Sequence, residues 1–346
     1  MSMPRRLGVW VTAFHEVRVI RTLFRAGASL AVAAALSTGQ HALAQAPAFP
    51  THGVTIVVPF PPGGGTDTGA RIVAQKLAAR WGQPVVVENR GGAAGQIGAD
   101  FVAKSRPDGY TLLIGNIGTQ AINPSLYARM PYDPDQAFAP VGFIAELPLA
   151  MMVNPAVPAR TAKEFIGLAR SQPGKLAYSS SGAGGAPHLA TEMFKQATQT
   201  YILHVPYRGG GPAIVDLIAG HVQLSFMTVL EASGHVKSGK LRALAVTSES
   251  RVPALPDVPT MAESVLPGFN SISWIGMLAP ASTPPAIVEK ISADLREVVG
   301  SPDVKAKLVD LGAIPRASTP AEFERLIAAD RSRYAKIIRE RKITTE

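Results

Sequence analysis

Short β-branched runs alternate with amphipathic stretches along most of the chain, and this alternation predicts α/β layering. The first unit is the clearest. Residues 54–58 (VTIVV) read as a strand, a Pro/Gly loop covers 59–65, and residues 67–80 place Ile72, Val73 and Leu77 on one helical face. A second strand is expected at 85–87, a second Gly-rich loop at 91–98 leading into a helix that ends near Lys104, a turn at Pro107-Asp108-Gly109, and a third strand at 111–114. In the middle of the chain, Thr161-Ala162-Lys163-Glu164 reads as a capping box ahead of Phe165, Ile166 and Leu168. Strands are expected at 176–179, 201–205 and 241–247, and Pro212 opens a helix carrying Ile214, Leu217 and Ile218. Near the C-terminus, Pro284 and Pro285 start a helix with Ile287, Ile291, Leu295 and Val298 inward and Gly300 as its stop, and Thr319-Pro320-Ala321-Glu322 reads as another capping box.

The first 44 residues follow a different pattern. Arg5, Arg6, Arg18, Arg21 and Arg25 form a basic lead, residues 26–35 are small and mostly apolar, and Ala42-Leu43-Ala44 has the form of a cleavage site. These features predict a secretory signal peptide over 1–44, a mature chain starting near Gln45, and a periplasmic location. An amphipathic N-terminal helix is the alternative. Loss of the leader takes away five arginines and one glutamate, so the formal charge of +9 falls to +5, 29 basic residues against 24 acidic. That mild excess suits an anionic ligand or a plain soluble surface. It does not point to nucleic acid, because the basic residues of the tail (Arg331, Arg333, Lys336, Arg339, Arg341, Lys342) recur at helical spacing and read as a solvated face. No later run has eighteen consecutive apolar residues, and no internal repeat is visible.

The absence of cysteine removes disulfides, thiolate metal sites and a Cys nucleophile. The seven histidines are scattered, with no H-E-x-x-H and no carboxylate cluster at ligand spacing, so no metal and no cofactor is expected. No Walker A pattern occurs, and Gly63-x-Gly65 and Gly182-x-Gly184 are followed by Thr68 and Pro187 where a dinucleotide loop wants Gly or Ala. Three segments, 59–67, 89–98 and 179–188, share one design in which a strand ends, small residues follow and a helix begins. Helix N-termini expose N–H groups and partial positive charge, and glycine lets the backbone approach a ligand closely. Such loops are candidate seats for a carboxylate, phosphate or sulfate, or else simple strand-to-helix turns. Ser179, Ser180 and Ser181 near His188 raise a hydrolase reading through Ser181 and His188, but no G-x-S-x-G elbow exists.

Five stretches carry a resemblance: VTIVVPFPPGGGTDTGAR (54–71), VVVENRGGAAGQIGADFVAKSRPDGYTLLIG (85–115), KLAYSSSGAGGAPHLATEMF (175–194), HVPYRGGGPAIVDLIAGHVQLSFM (204–227) and LRALAVTSESRVPALPDVPTMAE (241–263). They are similar, in the expected order, to the Bug family, the extracytoplasmic solute receptors associated with tripartite tricarboxylate transporters. The resemblance implies a two-domain periplasmic-binding-protein fold of the Venus-flytrap, type II-like kind, with 45–145 plus 268–346 as one domain and 146–267 as the other. It implies binding without catalysis: a small organic acid is gripped between the domains and passed to the membrane components of such a transporter, by a monomer. A receptor that reports ligand occupancy to a membrane signalling partner is the second reading.

The substrate-binding residues implied are Phe60, Pro61, Gly63, Gly64, Gly65, Thr66 and Asp67, with Asn116 and Thr119, on one wall. Ser179, Ser180, Ser181, Gly182, His188, Tyr207 and Met227 are implied on the other. Two positions depart from the family pattern. Met227 stands where an acidic residue is common, and Gly91 stands where Pro usually follows Asn-Arg. Loss of a carboxylate at Met227 argues against an amine-bearing ligand and toward a plain organic acid or an aromatic carboxylate.

Overall fold

A computed structural model describes residues 49–344. The leader expected over 1–44 lies outside the described residues. The main elements start with β1 (Val54–Val58), α1 (Gly65–Trp81), β2 (Val85–Asn89), α2 (Gln96–Ala103), β3 (Thr111–Asn116), the single turn α3 (Asn123–Leu126) and the long β4 (Phe138–Val153). They continue with α4 (Ala162–Ser171), β5 (Ala177–Ser180), α5 (Ala186–Thr198), β6 (Leu203–Pro206), α6 (Gly210–Ala219), β7 (Leu224–Thr228), α7 (Val229–Lys237) and β8 (Arg242–Val246). The last third holds α8 (Met261–Ser264), β9 (Ile272–Pro280), α9 (Pro285–Gly300), α10 (Pro302–Asp310), β10 (Ile314–Pro315) and α11 (Pro320–Arg341). The α/β class expected from the sequence is therefore the class of the fold.

The strand order is β2-β1-β3-β9-β4-β7-β5-β6, with β8 and β10 also paired to β4. β1 runs parallel to β2 and β3, β3 is antiparallel to β9, and β5 is parallel to both β6 and β7. β4 joins the two sheet regions. Its first part pairs antiparallel with β9 as far as Pro148, and from Leu149 onward it pairs with β7. Proline donates no ladder hydrogen bond, so Pro148 falls where the partner changes and the loss is least. β4 and β9 escape a reading by periodicity. β4 is buried on both faces and broken by Pro140, Gly142 and Pro148, so neither alternation nor a clean apolar run marks it.

Three packed clusters hold these layers. Ile56, Val58, Leu112 and Ile114 meet Ile291 and Leu295 of α9 on one face of the first sheet region. Val57 and Leu113, on the other face, join a cluster with Phe143, Trp274 and Phe323 that continues to Tyr178, Phe194 and Phe226. Ala150, Met227, Leu217 and Val246 form the third. Gly276 is required here, because a Cβ would overlap the ring of Phe323.

Helix ends match their chemistry. α1 starts at Gly65, two residues before the expected Asp67, and stops at Gly82, whose φ of 63° suits only a residue without Cβ strain. At α4, Thr161 Oγ1 accepts from Glu164 N at 3.1 Å, but Glu164 returns to Arg160 N rather than to Thr161 N. At α11 the box is complete. A third box, Thr260 with Glu263, opens α8, and at α7 the half in which Thr228 N donates to Glu231 is formed. Helices α1, α5, α6 and α7 all follow directly from the carboxyl ends of β1, β5, β6 and β7, which brings their N-terminal turns toward one region, as open α/β sheets do.

Candidate functional site at the helix N-termini

The loop between β1 and α1 is held from both sides. A Cβ at Gly91 would come within 2.8 Å of Pro61 Cδ, and one at Gly209 within 2.7 Å, so two glycines clasp the Pro61 ring. Asn89 Nδ2 donates to Phe60 O at 2.9 Å and to Asp67 Oδ1 at 2.9 Å. Gly63 N donates to Asp67 Oδ2 at 3.0 Å, and Arg71 Nε donates to both carboxylate oxygens at 3.1 and 3.0 Å. Burial would raise the Asp67 carboxyl, but the donors from Arg71, Gly63 and Asn89 outweigh it and hold the group below the usual carboxylate range. Asp67 thus organises the loop from within.

A small cavity lies where the loop meets the N-terminal ends of α1, α5 and α6. Phe60, Gly64, Gly65 and Thr66 line it from the β1–α1 loop, with Asn116, Leu147 and Ser273 beside them. Ser181, Ala186, Pro187, Gly210, Thr228 and Glu231 complete the lining. Its room is about 40 Å³, near the ~30 Å³ share of one water in the liquid. A solute of several carbon atoms therefore requires the walls to part. Larger grooves exist elsewhere among the described residues, of about 560, 480, 430 and 220 Å³. None of these gathers several helix N-termini, the 480 Å³ groove having the start of α4 alone, so the small cavity is the better candidate for an anion.

Of the residues expected in a binding site, Phe60, Gly64, Gly65, Thr66, Asn116 and Ser181 are brought together here. Asn116 Nδ2 donates to Thr66 Oγ1 at 3.3 Å, and Asn116 Oδ1 accepts from Thr119 N at 3.0 Å, so Thr119 stands behind Asn116, fully buried, and fixes its rotamer. Pro61, Gly63 and Asp67 shape the loop without lining the cavity. Ser179 lies in the core, its Oγ 3.4 Å from Ala213 O. Gly182 has φ 120°, a turn only glycine makes without strain, and supports the Ser181 loop.

Four expected residues, Met227, Tyr207, His188 and Ser180, are placed elsewhere. Met227 is buried in the third apolar cluster and pairs with Ala150 on β4, away from the cavity. Tyr207 donates from its hydroxyl to Asp216 Oδ2 at 2.5 Å, on the α6 side. His188 is buried beneath its own helix start, and its Nδ1 accepts from Gly184 N at 3.2 Å. The His188 ring stacks on His204 at 4.4 Å between centroids, and His204 stacks on Tyr178 at 4.7 Å. Burial pushes His188 down to about 4 and His204 to about 3, so both rings are neutral at ordinary pH. The serine–histidine hydrogen bond that forms is Ser180 Oγ to His204 Nε2, 2.7 Å and out of the cavity, and no hydrogen bond joins Ser181 to His188 among the described residues. This arrangement braces the Ser180–Gly182 turn and gives the hydrolase pairing no geometry.

Glu231 was missed, and with it the inference from Met227 that the wall lacks a carboxylate is overturned. Glu231 Oε2 accepts from Gly65 N at 2.8 Å and Oε1 accepts from Thr228 N at 3.1 Å, at the edge of the cavity. The sequence did contain a local signal, since Thr228-x-x-Glu231 is a capping-box pattern. Gly210 was also missed, although it stands in the Arg208-Gly-Gly-Gly run. Of the glycines lining the cavity, Gly65 and Gly210 are those where a side chain is impossible without movement. A Cβ at Gly65 would lie 2.5 Å from Thr228 Oγ1, and one at Gly210 would overlap Glu231 Oε2. Gly64 is roomier, with Glu231 Oε2 at 3.4 Å. Among the described residues no group of His, Asp and Glu is arranged to hold a metal ion, and no helix is long and apolar enough to cross a membrane.

Helix N-termini converging on a small cavity at the strand ends define a ligand-binding fold of the periplasmic binding protein type. Residues 69–343 match the model of the tripartite tricarboxylate transporter family receptor, TctC, and the chain belongs to that family. The Bug resemblance is borne out as well. Protein BugT of Bordetella pertussis is 37% identical over 88% of this chain and 94% of its own. Among solved structures, Rpa4515 of R. palustris with adipate is 38% identical and superposes with a TM-score of 0.84 over 86% of this chain and 99% of its own. MatC (Rpa3494) from Rhodopseudomonas palustris with bound malate is 33% identical, with a TM-score of 0.80 over 84% and 100% of the two chains.

Proposed function

We propose that the protein is exported to the periplasm, binds a small carboxylate-bearing solute in the cavity at the N-terminal ends of α1, α5 and α6, and delivers it to the membrane components of a tripartite tricarboxylate-type transporter. The observation that carries this reading is the convergence of these helix ends on a cavity lined by small and hydroxylated residues. A helix start with unspent backbone N–H donors and partial positive charge, as at α5, favours a carboxylate over a neutral group. The family membership supports the transporter role. The neighbours' adipate and malate, both dicarboxylates, support the ligand class.

The wall residues come from two parts of the chain. Phe60, Gly64, Gly65, Thr66, Asn116 and Ser273 belong to the segments 45–145 and 268–346, and Ser181, Pro187, Gly210 and Thr228 to 146–267. These segments act as two domains that part to admit the solute and close on it. A solute touching both walls binds the closed arrangement better and shifts the population toward it. The receptor works as a monomer, without cofactor and without catalysis.

Denaturation-shift screening against organic acids tests the binding step, because a ligand specific to the folded state raises its stability. A rise with at least one small acid, saturating with concentration, is expected; no rise with any carboxylate refutes the ligand class. Mass spectrometry of the exported protein tests the leader. A mature N-terminus near Gln45 is expected, and residues 1–40 still attached would refute it.

A further inference from the structure

The corner where the starts of α1 and α6 meet already holds a carboxylate, and it belongs to the chain. Glu231 receives Gly65 N at 2.8 Å on one oxygen and Thr228 N at 3.1 Å on the other. A Cβ at Gly210, the first residue of α6, would lie 3.1 Å from Oε1 and overlap Oε2, so the carboxylate touches both helix starts. Among the described residues, no lysine, arginine or histidine forms an ion pair with it. Beside it, Thr228 is 7% exposed, and its Oγ1 is buried without a well-formed hydrogen bond.

Burial pushes the Glu231 carboxyl up, against the donors from Gly65 and Thr228; in its ionised form it takes up the local positive potential at the starts of α1 and α7, whose N–H groups it receives. A second anion placed there meets like charge with no cation to offset it, in surroundings less polar than water. The end of α5 differs. Its first turn, at Ala186 and Pro187, faces the cavity beside Ser181 and holds no acidic residue. The cavity thus has an anion-accepting end and an anion-repelling end. The repelling end offers free lone pairs on Glu231 and a hydroxyl on Thr228.

Resting on the receptor function above, we propose that Glu231 selects the solute by its far end. The solute carries one carboxylate, seated at the start of α5 near Ser181. Its other end is a hydrogen-bond donor, a primary amide or an ammonium group, directed at Glu231 and Thr228. A second carboxylate at that end is rejected. Glu231 is thereby a specificity-determining residue for the same site.

The test is calorimetry at pH 7.5 with matched sets of four-, five-, six- and eight-carbon compounds. Each set contains the dicarboxylate, its half-amide and the ω-amino acid. At the best-fitting length the half-amide or ω-amino acid is expected to bind wild-type protein at least tenfold more tightly than the dicarboxylate. Glu231→Gln removes the charge at constant shape and is expected to shift that ratio at least tenfold toward the dicarboxylate. A dicarboxylate that binds wild type as tightly as its half-amide overturns the proposal, as does an unchanged ratio in a folded Glu231→Gln protein. The wild-type ratio stands by itself if that variant does not fold. If no member of any set binds, the carboxylate-receptor reading fails, whereas dicarboxylate preference leaves that reading intact and sinks only the role of Glu231.

Discussion

Gly65→Ala isolates the contact on which the cavity's geometry depends. Gly65 is the first residue of α1, and its amide is the donor to Glu231 at 2.8 Å. An added Cβ would sit 2.5 Å from Thr228 Oγ1, 3.3 Å from Thr228 Cβ and 3.4 Å from Thr228 Cγ2. The first of these distances is about an ångström inside ordinary contact, and the short, β-branched Thr228 side chain is buried at a packed helix start with little room to turn away. Overpacking of this kind costs about 1–3 kcal/mol, while alanine for glycine within a helix returns roughly 0.5–1 kcal/mol. The net expectation is a loss of about 1–2 kcal/mol of unfolding free energy, measured by urea titration as a lower midpoint at unchanged slope. The second half of a double-mutant cycle separates this clash from other causes. Thr228→Ala removes the oxygen nearest the new methyl, so the double variant is expected to be more stable than the sum of the single changes by about 1 kcal/mol, within the range of coupled neighbours. A Gly65→Ala protein as stable as wild type, or strictly additive effects, would refute the reasoning.

Asp294 is 1% exposed and receives Arg80 Nε, Trp81 Nε1 and Lys290 Nζ, each at 2.6 Å, which ties α1 to α9. Asp294→Asn is expected to lower stability by about 2 kcal/mol, the scale of a hydrogen bond to a charged group; urea midpoints check it. Burial would raise this carboxyl, but Lys290, Trp81 and Arg80 hold it below its ordinary value, so its contribution is present above about pH 4 and is lost on acidification through the lowered folded value. His188 and His204 lie below their ordinary value chiefly through burial, at about 4 and about 3. Folding therefore releases protons below about pH 6.5, and their contribution to stability, full above that pH, falls as the pH drops toward 4. Thermal unfolding across pH 7.5 to 4 is expected to show this fall, and His204→Gln to flatten it; an equal slope in the variant would count against the neutral stack.

Much of the fold was legible where local chemistry acts alone. β1 is a β-branched run between turns, α1 carries Ile72, Val73 and Leu77 on one face, and Thr319 with Glu322 closes a box within three residues. β4 was not legible, because burial on both faces removes alternation and Pro148 marks a change of partner that only the assembled sheet reveals. The same limit applies to the candidate site. The loops at 59–67 and 179–188 announce themselves through glycine and serine, and Phe60, Thr66 and Ser181 do meet. Glu231 acts on Gly65 across 166 positions of sequence, so its capping box was visible but its reach to α1 was not. Met227 and His188 were expected at the cavity by position in a motif. Strand alternation turns Met227 into the core, and the turn of α5 folds His188 against His204.

The most direct test of the ligand's place is calorimetric titration of the same organic acids into wild-type protein and into Ser181→Trp. The indole is larger than the cavity's room of about 40 Å³ and would occupy the space between the walls that a solute needs, while leaving the larger grooves around His188 and Asn270 untouched. One acid binding wild type at a single site, with that binding lost in a Ser181→Trp protein of normal circular dichroism, is the expected result. Equal binding to both proteins would place the ligand elsewhere and contradict the assignment of the helix N-termini as its seat.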